Sequence, residues 1–131
     1  MQRLKTRPQF QALLAGKLVS KSSHFVLHRL ELGALSKAND VQLFAAHRSW
    51  IGAMTPKRWA KRAVTRNAIK RQIYVVCRQL NTSPDNAYLV RLRREFSRKD
   101  FVSASSDQLK GAVNVELHAL VQDYLVQVSQ P

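Results

Sequence analysis

The chain has 131 residues, of which 45% are hydrophobic, which is enough for one compact domain with a real core. It carries 22 Lys and Arg against 8 Asp and Glu, a formal net charge of +14. Solubility requires only roughly 2–8 net charges on a small domain, so the excess favours a polyanionic partner, by default a nucleic acid. The lone cysteine, Cys77, excludes an internal disulfide and is expected to be a buried structural thiol.

Membrane-spanning and secretory segments are not predicted. No apolar stretch of the sequence approaches the length of a membrane span. The basic N-terminus resembles that of a signal peptide, but the apolar run 12–15 is too short and Lys17 follows it closely. The expected location is therefore the cytoplasm.

The first half of the chain predicts a short helix followed by strands. The capping-box spacing Thr6-x-x-Gln9 marks the start of the helix, and Gly16 can close its C-terminus. Strand-forming segments follow at 24–32, 41–47 and 50–54. Alternation in the first of these strands places Val26, His28 and Leu30 on one face.

The second half predicts two helices that flank one more strand. The first helix covers about 60–80, and its apolar stripe consists of Ile69, Ile73, Val76 and Leu80. A strand is predicted at 88–93. The last helix begins near Ser105, and its apolar face consists of Leu109, Val113, Leu117, Leu120 and Tyr124. The order αβββαβα predicts an α/β fold, an α+β sandwich in which helices cover a small mixed sheet.

The segment 57–71 is the most informative stretch for function. Seven of its fifteen residues are Lys or Arg, and none is acidic. A charged helical face is usually only solvated, but such a face normally pairs Glu with Lys, whereas here like charges stand four residues apart at Arg62, Arg66 and Lys70. Arg binds phosphates bidentately, and Asn67 can bond a 2′-hydroxyl or a base edge. The segment is therefore predicted to bind RNA or DNA.

A catalytic site is not predicted within the protein. A two-metal nuclease needs several carboxylates that converge on ions about 4 Å apart, whereas no two acidic residues here are closer than five positions. His24 and His28 would lie roughly 13 Å apart on a strand, too far to share one ion. The sequence also lacks a Gly-rich phosphate loop and a Gly-x-Ser-x-Gly elbow.

One motif resembles that of a known family. The run Arg66-Asn67-Ala68-Ile69-Lys70-Arg71 resembles the Arg-Asn-x-x-Lys-Arg signature of the bacterial ribonuclease P protein subunit. The preceding run 56–58 is similar to the Lys-rich step that leads into that signature. Phe10 lies in a segment similar to the family's first helix, while 25–28 and 87–93 are similar to its first and last strands.

The chain also departs from that family. Ala68 and Tyr74 stand where further basic residues are common, which predicts a thinner RNA-binding face, although Arg78 can compensate. Leu14 and His28 stand where aromatic residues are common.

The resemblance implies a fold and a role. The fold is a small α/β sandwich with a left-handed β-α-β crossover around the basic helix, in one RNA-binding domain over 1–131. The role is that of the protein subunit of ribonuclease P, an endoribonuclease that removes the 5′ leader from precursor tRNA. The RNA subunit carries the active site and, with the substrate, holds Mg²⁺, so the protein alone is expected to be inactive. The expected partners are the catalytic RNA and precursor tRNA, with no membrane and no obligate protein partner.

The resemblance also implies two sets of site residues and no catalytic or metal-binding residue. The residues expected to contact the RNA are Lys57, Arg58, Lys61, Arg62, Arg66, Asn67, Lys70 and Arg71. Phe10 and His28 are expected to line a cleft for the single-stranded leader, because flat rings stack on unpaired bases. Ordinary core packing is the alternative for Phe10.

Three other functions stay open on the residues alone. The chain could be a ribosomal or other structural RNA-binding protein. A DNA-binding regulator is disfavoured because strand-like sequence, rather than a short helix and turn, precedes the basic helix. A protein-only nuclease is disfavoured by the scattered carboxylates.

Overall fold

The computed structural model describes residues 2–32, 44, 49–80, 86–96 and 107–129. In chain order the elements are β1 (Gln2–Arg3), α1 (Arg7–Leu14), β2 (Lys17–Lys21), β3 (Phe25–Glu31), β4 (Trp50–Met54), α2 (Ala63–Val76), a 3₁₀ turn (Cys77–Leu80), β5 (Asn86–Leu92) and α3 (Asp107–Ser129). The strands form one mixed sheet in the order β1-β4-β5-β3-β2. This is the α+β class that the sequence predicts.

The sheet combines parallel and antiparallel pairs. β3 is antiparallel to β2 and to β5, while β4 is parallel to β1 and to β5. Neighbouring parallel strands need a crossover connection, and α2 lies in the segment that connects β4 to β5. The β-α-β unit that the resemblance implies is therefore present, and its left-handedness stays a prediction.

Helix α1 begins at the predicted capping box. The Gln9 backbone N–H donates to Thr6 Oγ1 at 3.3 Å, and the Thr6 backbone N–H donates to Gln9 Oε1 at 3.1 Å. The chain then turns at Gly16, where a Cβ atom would lie 2.8 Å from the carbonyl oxygen of Arg29. Only glycine lets the backbone pass this close to β3, so α1 leads directly into β2.

The sheet separates two apolar clusters. Helix α1 covers one face, with a buried cluster of Leu4, Leu13, Phe44, Trp50, Ala87 and Leu89. Helices α2 and α3 cover the other face, and the predicted apolar stripes of both helices are buried there. Within β3, Phe25 and Leu27 belong to the cluster under α2 and α3, whereas Leu30 packs against the α1 cluster. The predicted alternation of β3 is therefore confirmed.

Two of the described strands, β1 and β2, are missing from the elements that the sequence predicts. β1 has only two residues, too few to alternate visibly, and it forms because the backbone N–H groups of Gln2 and Leu4 donate to carbonyl oxygens along β4. β2 buries a polar residue, Ser20, whose hydroxyl donates to the carbonyl oxygen of Leu120 at 3.0 Å. Because a serine rather than an apolar residue faces inward here, β2 lacks the alternation of apolar and polar residues by which strands are recognised.

The predicted bounds of the basic helix also need correction. α2 begins at Ala63 rather than near residue 60. The backbone N–H groups of Trp59 and Ala60 both donate to the carbonyl oxygen of Pro56, at 3.0 and 3.1 Å, and so form a turn before the helix. After Val76 the backbone tightens into the 3₁₀ turn, which continues to residue 80.

Three predicted strands are confirmed, and two other predictions lie outside the described residues. The segments 24–32, 50–54 and 88–93 correspond to β3, β4 and β5, with ends that differ by at most two residues. The strand predicted at 41–47 is described only at Phe44, which is buried in the α1 cluster. The helix start predicted at Ser105 is not among the described residues, and α3 is described from Asp107.

Candidate nucleic-acid interface

The predicted RNA-binding residues lie on α2 and on the turn before it. We call these eight residues the basic surface: Lys57, Arg58, Lys61, Arg62, Arg66, Asn67, Lys70 and Arg71. The first four lie between β4 and α2 and are exposed to solvent. Among the four within α2, Asn67 and Arg71 are exposed, while Arg66 and Lys70 are half-buried. The structure thus places all eight in one continuous turn-and-helix segment.

One face of α2 extends the basic surface toward the C-terminus of the helix. Positions 67, 70, 71, 74 and 78 recur at intervals of three and four residues, which places them on one side of a helix. Ile69 and Ile73 lie on the opposite side and are buried. The half-buried Tyr74 lies within this outward stripe, and the exposed Arg78 stands at its end.

Arg66 fastens the turn to the helix. Its Nη1 donates to the carbonyl oxygens of Ala60, at 3.0 Å, and Lys61, at 2.8 Å. In the same turn, the guanidinium carbon of Arg58 lies 5.3 Å from the centroid of the Trp59 ring, within the range of a cation–π contact. The hydrogen bonds of Arg66 hold the turn beside α2.

The charges of the basic surface face no carboxylate within the described ranges. Among the described residues, the close pairs of basic and acidic side chains are His24–Glu116 and Arg29–Glu31, each at 2.7 Å, and neither includes a residue of the basic surface. Clustered charges of one sign without internal counterions produce a positive potential that attracts polyanions.

Phe10 and His28 lie on the α1 face of the sheet, as the predicted cleft requires. Gly52 pairs with Leu89 between β4 and β5, and Leu89 pairs with His28 between β5 and β3. The Phe10 ring lies over Gly52, where a Cβ atom would be 3.1 Å from Phe10 Cε1. Because neighbouring strands are about 4.8 Å apart, Gly52 and His28 are about 10 Å apart across the sheet.

His28 is too buried for a base to stack on its ring in this conformation. The residue is 6% exposed, and its Nε2 accepts from Arg91 Nε at 3.5 Å. Burial, and then the positive charge of Arg91, lower the pKa of His28, so the ring is neutral. With Nε2 as the acceptor, the proton lies on Nδ1, which is buried and has no hydrogen-bond partner in the described part of the chain.

A second cluster of polar side chains ties the start of β3 to α3. Glu116 accepts from the Ser22 hydroxyl and from the His24 backbone N–H, and its Oε1 lies 2.7 Å from His24 Nδ1. The His24 ring also stacks on Phe96, with the centroids 3.9 Å apart. Ser22 and His24 both bond to the Glu116 carboxylate and not to each other. A hydrolytic triad needs a bond from the serine to the histidine, so this cluster has a structural role.

The described ranges hold neither a metal-ligand cluster nor a membrane-spanning helix. These ranges contain no group of three or more His, Cys, Asp or Glu side chains arranged to hold a metal ion. They also contain no helix whose length and apolar character would let it cross a membrane.

The sequence does not predict that Arg3 lies beside α2. This exposed residue of β1 places its guanidinium carbon 3.9 Å from the centroid of the Tyr74 ring on α2. The sequence feature that marks this place is Tyr74, which interrupts a stripe of basic residues at helical spacing. The pairing of β1 with β4, which brings Arg3 to α2, has no local signal.

The fold is shared with solved bacterial proteins. The RNase P protein of Staphylococcus aureus superposes with a TM-score of 0.63 at 18% identity, over 93% of this chain and 94% of that one. The RNase P protein of Thermotoga maritima superposes with a TM-score of 0.54 at 18% identity, over 89% of this chain and 96% of that one. At such identity these likenesses establish the fold alone.

Sequence comparison defines the family. The ribonuclease P protein component of Trichormus variabilis is 38% identical over 89 aligned positions, and the match covers 60% of this chain and 62% of that protein. The chain thus matches less than two thirds of the length of this relative. A sequence model of the family described as Ribonuclease P matches residues 1–116 of the 131. The chain therefore belongs to the ribonuclease P protein family.

Proposed function

We propose that this chain is the protein subunit of a ribonuclease P. It binds the catalytic RNA and the 5′ leader of precursor tRNA, and it assists Mg²⁺-dependent removal of that leader. The observation that carries the proposal is the basic surface, whose residues lie together on α2 and its turn and form no ion pair with a carboxylate in the described ranges. Its helical half coincides with the Arg-Asn-x-x-Lys-Arg signature of the family.

The dimensions of the basic surface suit an RNA backbone. With a rise of about 1.5 Å per residue, the outward stripe from Asn67 to Arg78 is about 16 Å long, enough to face several phosphates. Arg71 can bridge a phosphate bidentately, Lys70 supplies a point charge, and Asn67 can recognise a 2′-hydroxyl. The family membership favours this role over that of a ribosomal protein or a DNA-binding regulator.

The chemistry of cleavage is assigned to the RNA subunit. The described residues offer no cluster of ligands that fits Mg²⁺, and the acidic residues are scattered along the sequence. We infer that Mg²⁺ is held mainly by the RNA and the substrate. The protein would act through its cations, which reduce phosphate repulsion and so lower the Mg²⁺ concentration that assembly requires.

The α1 face is the proposed cleft for the leader. The half-buried Phe10 offers a ring edge and part of a face to an unpaired base, and Arg91 supplies a cation on the same face. His28 is buried on this face and accepts a hydrogen bond from Arg91, so its proposed contribution is to position Arg91 rather than to contact a base. This role differs from the stacking expected from the sequence.

The test of RNA binding compares two paired substitutions of equal charge. Lys70→Gln with Arg71→Gln removes two cations from the basic surface, while Lys17→Gln with Lys21→Gln removes two exposed cations from β2, at the opposite edge of the sheet from β1. Affinity for a bacterial ribonuclease P RNA is measured for both variants over a range of salt concentrations.

The first variant should lose roughly 10- to 100-fold in affinity. Its log–log salt dependence should become shallower by roughly 1.4–1.8, which corresponds to two phosphate contacts. The β2 variant should change much less. Equal effects of the two variants would mean that binding depends on net charge alone and would refute the assignment of the basic surface.

A further inference from the structure

The outward stripe of α2 has a gap in its positive charge at Tyr74. Lys70 and Arg71 precede Tyr74 by four and three residues on the same side of α2, and Arg78 follows it by four, in the 3₁₀ turn that continues the helix. Tyr74 is half-buried, and its phenol side chain is not a cation. A phosphate strand that follows this stripe would therefore meet no cation of α2 between Arg71 and Arg78.

Arg3 lies at this gap, although it belongs to another element. The backbone N–H groups on either side of it, those of Gln2 and Leu4, donate to the carbonyl oxygens of Ser49 and Ile51 at 2.8 and 2.9 Å. Leu4 points into the α1 cluster, so Arg3 points to the other face, where α2 lies. Its guanidinium carbon is 3.9 Å from the centroid of the Tyr74 ring.

The contact fixes the guanidinium without occupying its donors. A guanidinium that lies over an aromatic face is attracted by the ring, while its N–H groups stay in their own plane and remain available to oxygen acceptors. Arg3 is exposed and forms no ion pair in the described part of the chain. The Arg3 guanidinium is therefore already ordered before a phosphate binds to the stripe.

We propose that Arg3, positioned by Tyr74, is a further phosphate contact of the basic surface and supplies from β1 the cation that α2 lacks at position 74. The inference rests on the proposed RNA-binding function. The competing explanation is that the Arg3–Tyr74 contact only attaches β1 to α2. The two explanations differ in salt dependence, because a structural contact changes stability without changing the number of phosphates bound.

The first experiment measures binding of a bacterial ribonuclease P RNA by wild type, Arg3→Gln, Tyr74→Leu and the double variant, with thermal unfolding of each. Arg3→Gln should weaken binding roughly three- to tenfold and make the log–log salt slope shallower by roughly 0.7–0.9. Tyr74→Leu should weaken binding less. In the Arg3→Gln background, Tyr74→Leu should cost nothing further, because it no longer has a cation to position.

The second experiment moves the positive charge from position 3 to position 74. Tyr74→Arg, made in the Arg3→Gln background, returns a cation to the stripe from α2 itself and should restore affinity and salt slope to near wild-type values. Tyr74→Gln in the same background, which adds no charge, should not. Restoration by both would mean that charge at this place is irrelevant and would refute the proposal.

The outcomes separate this inference from the proposed function. If the wild type binds the RNA with strong salt dependence but Arg3→Gln has the same affinity and slope, Arg3 is not a contact and the inference fails alone. If a variant loses affinity only under conditions in which it also unfolds, and its log–log salt slope is unchanged, the Arg3–Tyr74 contact is a structural attachment. This outcome also refutes the inference. If the wild type does not bind the RNA, the proposed function fails, and the inference fails with it.

Discussion

Arg66 donates from its Nη1 to the carbonyl oxygen of Lys61, 2.8 Å away, and so closes the turn that precedes α2. A second bond from the same nitrogen reaches the carbonyl oxygen of Ala60 at 3.0 Å. One residue of the signature therefore maintains the structure of the basic surface, whereas its neighbour Lys70 makes no such bond within the described ranges. The two residues should respond differently to substitution.

Arg66→Ala should lower both stability and RNA affinity. The lost hydrogen bonds should reduce the free energy of unfolding by about 1–2 kcal/mol, and the released turn should misplace Lys57, Arg58 and Lys61. Lys70→Ala should change the free energy of unfolding by less than about 0.5 kcal/mol and reduce affinity only. Urea denaturation and RNA binding of both variants test this. Equal stability of the two variants would contradict the structural role of Arg66.

Phe10→Leu should separate leader binding from core packing. Leucine preserves most of the apolar contact over Gly52 but removes the ring, and stacking contributes about 1–3 kcal/mol per base. The reconstituted complex should therefore bind precursor tRNA roughly 5- to 150-fold more weakly, while mature tRNA, which has no leader, should bind almost as before. Phe96→Leu, which alters a ring under α2 and α3, is the matched control. Equal losses on both tRNAs would leave Phe10 as a core residue.

His28 should make stability fall at acid pH. Its pKa in the folded state is lowered by burial and by Arg91, so the unfolded chain binds the proton more readily. The stability contributed by the neutral ring is fully present above the unfolded pKa of 6.5 and is lost as the pH falls through the lowered folded pKa. Urea unfolding of wild type and His28→Phe should therefore diverge between about pH 7 and pH 5, with the wild type losing more stability. Parallel pH curves would be inconsistent with a buried neutral His28.

Cys77 should be chemically inert until the protein unfolds. Its side chain is fully buried, and burial raises the pKa of the thiol to about 12. Only the thiolate reacts with alkylating reagents, so iodoacetamide at about pH 8 should label the unfolded but not the native chain. Mass spectrometry of samples with and without urea gives the answer. Rapid labelling of the native protein would show that the 3₁₀ turn is open to solvent.

The sequence predicted those parts of the fold that depend on neighbours along the chain. The capping box at Thr6 and Gln9 and the alternation in β3 are local patterns, and both appear in the structure as predicted. β1 has no such pattern, because two residues become a strand only when β4 offers an edge with free carbonyl oxygens. The burial of Ser20 is likewise explained by a partner a hundred positions away, the Leu120 carbonyl.

The candidate site was predictable to the same extent. Charge and helical spacing, together with the family signature, pointed to the residues of the basic surface, since all eight lie within the segment 57–71. The structural role of Arg66 and the placement of Arg3 on Tyr74 depend on backbone geometry that spacing does not show. The burial of His28 follows from its neighbours on β5 and β2, whose register with β3 cannot be read from a single strand.

Reconstitution of the ribonucleoprotein shows whether the protein assists an RNA catalyst or cleaves precursor tRNA itself. Precursor tRNA is incubated at low Mg²⁺ with the purified protein, with a bacterial ribonuclease P RNA, or with both, and the 5′ end of the product is mapped. We expect no cleavage by the protein, little by the RNA at this Mg²⁺ concentration, and correct 5′ maturation by the two together. Cleavage by the protein free of RNA, or failure of the protein to stimulate the RNA, would contradict this expectation.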